Sequence, residues 1–341
     1  MAHNAAMTAA STTHPRDALF QAGELPPDLP VCDHYAGVEE RMRKSLQLQH
    51  ELGPVFDVTL DNEDGAPVGG EIEHAQLIAA LLASADNRFG RVGVRVLPLE
   101  HPRFGDVLEI VLRALNPPAY LMLPKPNVVA DVDRAAMALD AAGGAEVPLH
   151  ALIETHGALR DVHAIAAHRR IESLSFGLMD FVSAHRGAIP LSAMGVPGQF
   201  EHPLVVRAKL EIAAACHAAR KVPSHSVVTE FKHARAIQDA ATTAARQFGY
   251  TRMWSIHPSQ VKPIVDAFSP TTAEVDHAIE IILAAQAANW APIQHHGTLH
   301  DRASYRYFWH VIERAHRTSG SAGSQLPTEV REAFFGDTGI C

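Results

Sequence analysis

Four carboxylates lie close together in the segment FDVTLDNEDGAP, which begins at Phe56. They are Asp57, Asp61, Glu63 and Asp64, in a stretch whose apolar residues otherwise indicate a buried strand. Carboxylates at such spacing repel one another unless a cation lies among them. The segment therefore predicts a cation-binding site at the end of this strand.

Other strand-like segments also end in polar residues. Arg95 closes GVR, Glu154 closes ALIE, and Asp180 follows SFGLM, in which Gly177 lets the backbone pass close to a ligand. A site of one or two carboxylates completed by water and substrate oxygens suits Mg²⁺ better than Ca²⁺ or Zn²⁺. The arginine favours an anionic substrate, such as a carboxylate or an enolate oxygen, because its rigid fork matches those groups.

Eight short apolar segments alternate with segments of helical periodicity along most of the chain. This alternation predicts an α/β fold, a closed (β/α)8 TIM barrel over residues 30–270, more than an open doubly wound sheet. The first strand is not followed by a GxGxxG motif, which disfavours dinucleotide binding. In such a barrel the carboxyl ends of the strands converge, so the polar strand ends are expected at one opening.

The strand that begins at Phe56 also predicts which side chains face the barrel lumen. Side chains alternate between the two faces of a strand. We expect the apolar set to face the helices and the polar set to face the lumen. The apolar set is Phe56, Val58 and Leu60, and the polar set is Asp57, Thr59 and Asp61.

Three further segments flank the predicted barrel. Residues 1–29 are expected to form a flexible arm, since their composition is mixed and polar. Residues 271–317 contain two helical patterns separated by a polar loop and are expected to form a helical extension that contacts a neighbouring subunit. Residues 318–341 are rich in Gly and Ser and are expected to form a mobile tail.

Composition narrows the classes of partner. The chain has 341 residues, 47% of them hydrophobic and 20% charged, with a formal net charge of -9, which argues mildly against nucleic acid. Its three cysteines form no CxxC pair, so neither a disulfide framework nor a thiolate zinc site is expected. Neither a secretory leader nor a membrane span is indicated. We expect a cytoplasmic protein without a membrane partner.

Six motifs in chain order carry a resemblance to a known family. They are LDNEDGAP, GVRV, MLPKP, ALIETHGAL, SFGLMDF and SIHPSQV. Together they resemble the HpcH/HpaI aldolase and citrate lyase β-subunit superfamily, nearest to its malyl-CoA and citramalyl-CoA lyase branch. The resemblance extends from about Val31 to Arg314, most of the chain.

The resemblance implies a TIM-barrel lyase that cleaves or forms a carbon–carbon bond in a 3-hydroxy-carboxylic acyl-CoA thioester, giving an acyl-CoA and a 2-oxo acid. It implies that Glu154 and Asp180 bind Mg²⁺ directly and that Asp64, with Glu63, holds its waters. It further implies that Arg95 faces the thioester oxygen.

The C-terminal segment of the family also has a counterpart. GTLHDRASYRYFWHVIERA is similar to a segment whose aspartate reaches the site of a neighbouring subunit, and Asp301 occupies that position. Asp301 is therefore the candidate acid that protonates the enolate carbon. Family members form trimers or hexamers, so a homo-oligomer is expected.

Departures from the family pattern bear on the substrate. The first strand reads CDHYAG where the family has a Pro-Gly turn near the CoA nucleotide, so Lys44 or Arg43 is the candidate contact to a CoA phosphate. Met253 and Trp254 replace a Gly-Lys pair, and Val96 follows the arginine where asparagine is common. These differences indicate a divergent member with its own acyl group.

Other functions remain open at this point. One is a malyl-CoA type of thioesterase, in which the same metal site orients water. Another is a citrate lyase β-like subunit that acts within a complex on an acyl-carrier-protein thioester. A barrel retained only for binding fits poorly with Arg95, Glu154 and Asp180 all present.

Several polar residues also have plain structural interpretations. Asp57 and Asp61 can be lumen hydrogen-bonding groups, and Arg95 can be an ion-pair partner of Asp64. Lys125 and His257 are expected to fix strand-end turns, since each adjoins a proline.

The histidines near residue 300 suggest zinc at first sight. His295, His296 and His300 have no acidic or cysteine companion at metal spacing in the sequence, so we expect solvated loop histidines. The aromatic stretch YRYFWH that follows is expected to form a packing face and not a platform for base stacking.

Overall fold

The computed structural model describes residues 13–319 and 326–336. Eight parallel strands form a closed barrel in sequence order, and β1 pairs with both β2 and β8. The predicted (β/α)8 TIM barrel is confirmed. Its strands are β1 Cys32–Ala36, β2 Phe56–Asp61, β3 Val92–Arg95, β4 Leu121–Leu123, β5 Leu149–Ile153, β6 Ile171–Phe176, β7 Val222–His225 and β8 Arg252–Ser255.

Helices connect and surround these strands, and a short hairpin lies near the C-terminus. The helices are α1 Pro15–Leu19, α2 Glu39–Leu52, α3 Glu71–Leu82, α4 Phe104–Leu112, α5 Val129–Ala141, α6 His156–Arg160, α7 Val162–Ala167, α8 Leu178–Ser183, α9 Pro203–Ala218, α10 Ala234–Gln247, α11 Pro258–Phe268, α12 Thr272–Ala287, α13 Arg302–Arg317 and α14 Thr328–Phe335. Short 3-10 turns occupy Leu191–Met194 and Gly198–Phe200, and the hairpin strands are β9 Ile293–His295 and β10 Thr298–His300.

The chain divides into two compact units. Pro26–Phe268 is the barrel, close to the predicted 30–270. The second unit combines Met1–Leu25 with Ser269–Cys341. None of the helices among the described residues is long and apolar enough to cross a membrane.

The second unit differs from the arm, extension and tail that the sequence suggested. Within the predicted arm, α1 contributes Leu19 to a core that also contains Tyr305 and Trp309 of α13. Within the predicted tail, α14 contributes Phe334 to the same core. Short apolar stretches near both ends of the chain are thus buried against the C-terminal helices. The remaining arm and tail residues, 1–12, 320–325 and 337–341, lie outside the described residues.

The two faces of β2 are as predicted. Phe56, Val58 and Leu60 are buried in the main core with the helices. On the opposite face, Thr59 Oγ1 donates a 2.7 Å hydrogen bond to Asp33 Oδ1 of β1. The polar face of β2 therefore lies in the lumen.

A buried arginine fills the lower lumen. Arg252 Nη1 of β8 donates to Asp57 Oδ2 at 2.6 Å, and Nη2 lies 3.4 Å from Asp33 Oδ2. Tyr120 completes this cluster with a 3.0 Å hydrogen bond to Asp33. Gly93 leaves the room that the Tyr120 ring needs, since a Cβ there would lie 2.2 Å from a ring carbon. Asp57 is thus a lumen hydrogen-bonding group, which is the structural interpretation that the sequence allowed for it.

An apolar cluster forms a further part of the lumen. It is separate from the core between barrel and helices and consists of Tyr35, Met122, Leu152, Val227 and Trp254. The Tyr35 and Trp254 rings stack with centroids 4.4 Å apart. Trp254, one of the departures from the family pattern, therefore packs inside the barrel.

Candidate active site

The loop after β2 is held by a close approach of two glycines. A Cβ on Gly65 would lie 2.5 Å from both Gly37 Cα and the Asp61 carbonyl oxygen. Only glycine fits such a contact between the loops that follow β1 and β2. The crossing fixes the backbone that carries Glu63 and Asp64.

Arg95 lies at the end of β3, in register with Asp61 at the end of β2. Its Nε and Nη2 donate to the two Asp61 carboxylate oxygens at 2.7 and 2.6 Å, a bidentate pair. Nη1 lies 2.8 Å from Glu63 Oε2, and Nη2 also donates to Asp64 at 3.0 Å. The guanidinium is thus surrounded by three carboxylates from the end of β2 and the loop that follows it.

These contacts keep Arg95 charged and fixed. Burial lowers the pKa of Arg95, but the hydrogen bonds and charge of Asp61, followed by the charge of Glu63, outweigh burial and raise the pKa above its ordinary value. Three of the guanidinium N–H groups donate to Asp61 and Asp64, and Nη1 lies in ion-pair contact with Glu63. The structure therefore supports the ion-pair interpretation of Arg95, with Asp61 as a closer partner than Asp64.

Lys125 joins the site through both its backbone and its side chain. It adopts a left-handed backbone conformation, with φ of 52°, directly after Pro124. Its backbone N–H donates to Glu154 Oε1 at 2.9 Å, and its Nζ lies 2.5 Å from Glu63 Oε1. The lysine is therefore a turn residue, as the sequence suggested, and also a cationic member of the site.

Glu154 lies at the end of β5, and its side chain packs directly against Gly177. The residue is 3% exposed. A Cβ on Gly177 would lie 2.3 Å from Glu154 Oε2, so a larger residue would displace the carboxylate. Gly177 has a φ of -82°, which any residue can adopt, so the requirement for glycine here is one of space.

The charge around Glu154 is unbalanced. Burial, then the charges of Asp180 and Glu63, raise the pKa of Glu154 to about 8. Asp180 itself is exposed, in the first turn of α8. Its charge, like that of Glu154, also acts on Lys125. A buried carboxylate with acidic neighbours is stabilised in its charged form by a bound cation, and two carboxylates completed by water fit Mg²⁺.

Two predicted site residues lie elsewhere. Lys44 is on the exposed face of α2, beside Arg43 and His50 in a surface depression. Asp301 belongs to the second unit, where it caps the N-terminus of α13 and accepts hydrogen bonds from the backbone N–H groups of Ala303 and Ser304. The structure thus gathers Arg95, Glu63, Asp64, Glu154, Gly177 and Asp180 at the barrel mouth.

Two residues have larger roles at the barrel mouth than the sequence indicates. Asp61, which can be a lumen hydrogen-bonding group, is the main partner of Arg95. Lys125 is predicted as a turn residue, but it lies between two prolines at a strand end, where the other polar strand ends meet. His257 hydrogen-bonds to Ser259 of α11 and stacks on Phe231, which agrees with a turn role.

Residues 57–258 of the chain match the family described as HpcH/HpaI aldolase/citrate lyase. A curated relative is the L-malyl-CoA/beta-methylmalyl-CoA lyase of Rhodobacter capsulatus. It is 26% identical over 280 residues, which cover 76% of this chain and 86% of that protein.

Solved structures give the same picture of the fold. A citrate lyase from Burkholderia xenovorans LB400 is 52% identical, with a TM-score of 0.80, covering 94% of this chain and 100% of the other. The protein CitE from Mycobacterium tuberculosis, solved in complex with magnesium, acetoacetate and coenzyme A, is 19% identical with a TM-score of 0.66. The match covers 84% of this chain and 98% of the CitE chain.

Proposed function

Because the chain belongs to the HpcH/HpaI aldolase/citrate lyase family, we propose that it is a Mg²⁺-dependent carbon–carbon lyase. Its substrate class is a 3-hydroxy-carboxylic acyl-CoA thioester of the malyl-, citramalyl- or citryl-CoA kind, cleaved to an acyl-CoA and a 2-oxo acid or formed from them. One observation carries the proposal. The buried Glu154 carboxylate lies against Gly177, and the nearby charge of Asp180 contributes to its raised pKa. It lies at the same barrel mouth as Arg95.

Each residue of the mouth has a place in this chemistry. Glu154 and Asp180 would hold the metal ion, and Asp64 with Glu63 would hold its waters. When bound, Mg²⁺ supplies Lewis acidity to the substrate hydroxyl and carboxylate oxygens. Gly177 leaves space for the Glu154 carboxylate and for the substrate beside it.

Arg95 stabilises the negative charge that develops on the thioester oxygen as the carbon–carbon bond breaks. A donor that is already fixed does this without reorganising during the reaction. Asp61 provides that fixation through its bidentate pair with Arg95. Asp301 of a neighbouring subunit then protonates the enolate carbon, and in the reverse direction it removes the same proton.

The wider context of the enzyme is also part of the proposal. We place it in the cytoplasm, as a homo-oligomer whose ligands are acyl-CoA and a 2-oxo acid. The CoA phosphates lie near the exposed α2 face that carries Lys44. CitE from Mycobacterium tuberculosis, solved with magnesium and coenzyme A, supports both the metal and the CoA assignments.

The test is an assay of purified protein with malyl-CoA, citramalyl-CoA and citryl-CoA, with and without Mg²⁺. The 2-oxo acid is trapped as its phenylhydrazone, and free CoA thiol is measured in parallel. We expect Mg²⁺-dependent release of a 2-oxo acid without free thiol, and its loss in Glu154→Gln. Glu109→Gln, which changes an exposed acid paired with Arg113 on the outer helix α4, is the matched control.

Other outcomes reassign the activity. Release of free CoA thiol without a 2-oxo acid would make the protein a thioesterase. Inertness toward all three CoA esters, with Mg²⁺-dependent binding of glyoxylate, pyruvate or oxaloacetate retained in calorimetry, would indicate a subunit that acts on a carrier-protein thioester. If calorimetry shows no Mg²⁺-dependent binding either, the lyase proposal fails.

A further inference from the structure

A second group of possible metal ligands lies in the C-terminal unit. Among the described residues, His277, Glu280 and His295 are the group of three whose ligand atoms all lie within 4.8 Å of one another. In the sequence His295 has no acidic companion nearby, because the last two turns of α12 and a loop separate it from Glu280. The fold supplies the companion.

The helix and the hairpin each present their ligands by ordinary geometry. His277 and Glu280 are three residues apart on α12, so they share one face of the helix. His295 ends β9, next to a tight turn in which His296 and Gly297 both have positive φ, 46° and 79°. The loop between α12 and β9, in which Asn289 and Trp290 also have positive φ, brings β9 back against α12. There His295 Nε2 lies 3.1 Å from Glu280 Oε2.

The distances suit a tetrahedral ion. Ligand atoms about 2.0–2.1 Å from a tetrahedral Zn²⁺ lie about 3.4 Å from one another. The pair formed by His295 and Glu280, at 3.1 Å, is near that spacing, and a ligand atom of His277 lies within 4.8 Å of both. His296 Nε2 lies 3.9 Å from the same Glu280 oxygen.

A buried histidine beside the group gives a second observation. His300 of β10 is 7% exposed, and its Nδ1 is without a hydrogen-bond partner among the described residues. Its ring centroid lies 6.4 Å from that of His277, and both rings contact Phe308.

We propose that His277, Glu280 and His295 bind a divalent transition-metal ion of the Zn²⁺ class, with water in the fourth position. Two imidazoles and one carboxylate match the ligand preference of Zn²⁺ and differ from the all-oxygen set of the barrel mouth. The ion would tie the hairpin β9–β10 to α12. This site is independent of the proposed lyase activity.

The test uses untagged, metal-stripped full-length protein in saturating Mg²⁺, which occupies the barrel mouth. Co²⁺ is titrated as a coloured substitute for Zn²⁺, and Zn²⁺ is then added in competition. We expect one Co²⁺ per chain with the strong visible absorption of a four-coordinate ion, displaced by Zn²⁺. Thermal unfolding should shift upward in Zn²⁺, because the ion binds the folded state.

Single variants assign the ligands. His277→Ala and Glu280→Gln should weaken Co²⁺ binding by about 100-fold or more, since even groups that only orient a ligand affect metal affinity by 10–100-fold. Both positions are exposed, and unchanged circular dichroism without metal verifies folding. His163→Ala, an exposed histidine on α7, is the control for adventitious binding.

Two results would overturn the site. One is a wild-type spectrum that shows only the weak bands of six-coordinate Co²⁺. The other is equal Co²⁺ affinity in wild type, His277→Ala and His163→Ala, which would assign binding to scattered surface histidines.

Discussion

At the scale of single residues, the barrel mouth concentrates acidic groups around few cations. Arg95 and Lys125 are engaged by Asp61, Glu63 and Asp64, which leaves the charge of Glu154 without a direct side-chain cation. Its only described hydrogen bond is from the backbone of Lys125. Glu154 is therefore the carboxylate of the metal-free site whose negative charge is least compensated by a cation.

The protonation of Glu154 is expected to be coupled to metal binding. Its pKa in the fold, about 8, lies above the ordinary value of 4.5. The charged form therefore costs the metal-free fold stability, and this cost is absent below pH 4.5 and complete above pH 8. At pH 7 the carboxyl is mainly protonated, so Mg²⁺ binding should release about one proton.

Calorimetry of Mg²⁺ binding in buffers of different ionisation enthalpy measures that proton. Glu154→Gln should release none, and wild-type affinity should increase as pH rises toward 8 and then level off. An affinity independent of pH between 6 and 9 would contradict the assignment of Glu154 as a metal ligand.

Gly177 gives a second prediction at this scale. Gly177→Ala places a methyl group within 2.3 Å of Glu154 Oε2, so the carboxylate must move. A displacement of about 1 Å at a catalytic group can reduce activity about 100-fold, and we expect a loss of that size. Gly105→Ala on α4, where nothing lies within 4 Å of the new Cβ, is the matched control. Full activity in Gly177→Ala would contradict the proposed role of Glu154 in the reaction.

At the scale of elements, the barrel closes where β1 meets β8, and an ion-pair cluster lies across that junction. Arg252 of β8 faces Asp33 of β1 and Asp57 of β2. Although burial lowers the pKa of Arg252, the charges of Asp57 and Asp33 raise it above the ordinary value. The cluster therefore links three strands through one cation.

Arg252→Met should destabilise the barrel by about 3–5 kcal/mol, because a buried ion pair loses its cation. Asp33 would lose its cation, and Asp57 would keep only the 3.3 Å contact from Arg91 Nε. Arg113→Met removes an exposed ion pair with Glu109 and should change stability by less than about 0.5 kcal/mol. Urea unfolding followed by circular dichroism compares the two. Equal free energies of unfolding would show that the lumen cluster contributes little to closure.

At the scale of the whole molecule, the role proposed for Asp301 requires that its side chain reach the site of a neighbouring subunit. In the described structure Asp301 is an N-cap of α13 in the second unit. Its aspartate oxygen Oδ1 accepts from the helix backbone, and this fixes the side chain at an exposed corner. We propose that this corner faces the barrel mouth of a neighbouring subunit.

Mixing two inactive variants tests shared sites. Asp301→Asn and Glu154→Ala should each lose most activity alone, and random mixing of their subunits should restore about one quarter of the sites in a closed ring. Sedimentation velocity establishes whether the assembly is a trimer or a hexamer. A mixture as inactive as its components, or an active Asp301→Asn variant alone, would argue against an acid supplied by the neighbour.

The sequence by itself determined the barrel and the location of its mouth. Strand periodicity is local, and parallel strands of a barrel present their carboxyl ends at one opening, so Arg95 and Glu154 at strand ends could be predicted to lie there. The motifs added the family, which the match over residues 57–258 shows.

Only the tertiary structure decided which groups neutralise one another. Arg95 is paired with Asp61, Arg252 with Asp57, and His295 with Glu280, and each pair joins residues that are 15 or more positions apart. Sequence spacing predicts neighbours on one strand or helix, whereas pairs across strands depend on register and loop geometry. The second unit likewise arises from tertiary packing, because the short apolar stretches at the two ends of the chain share one core.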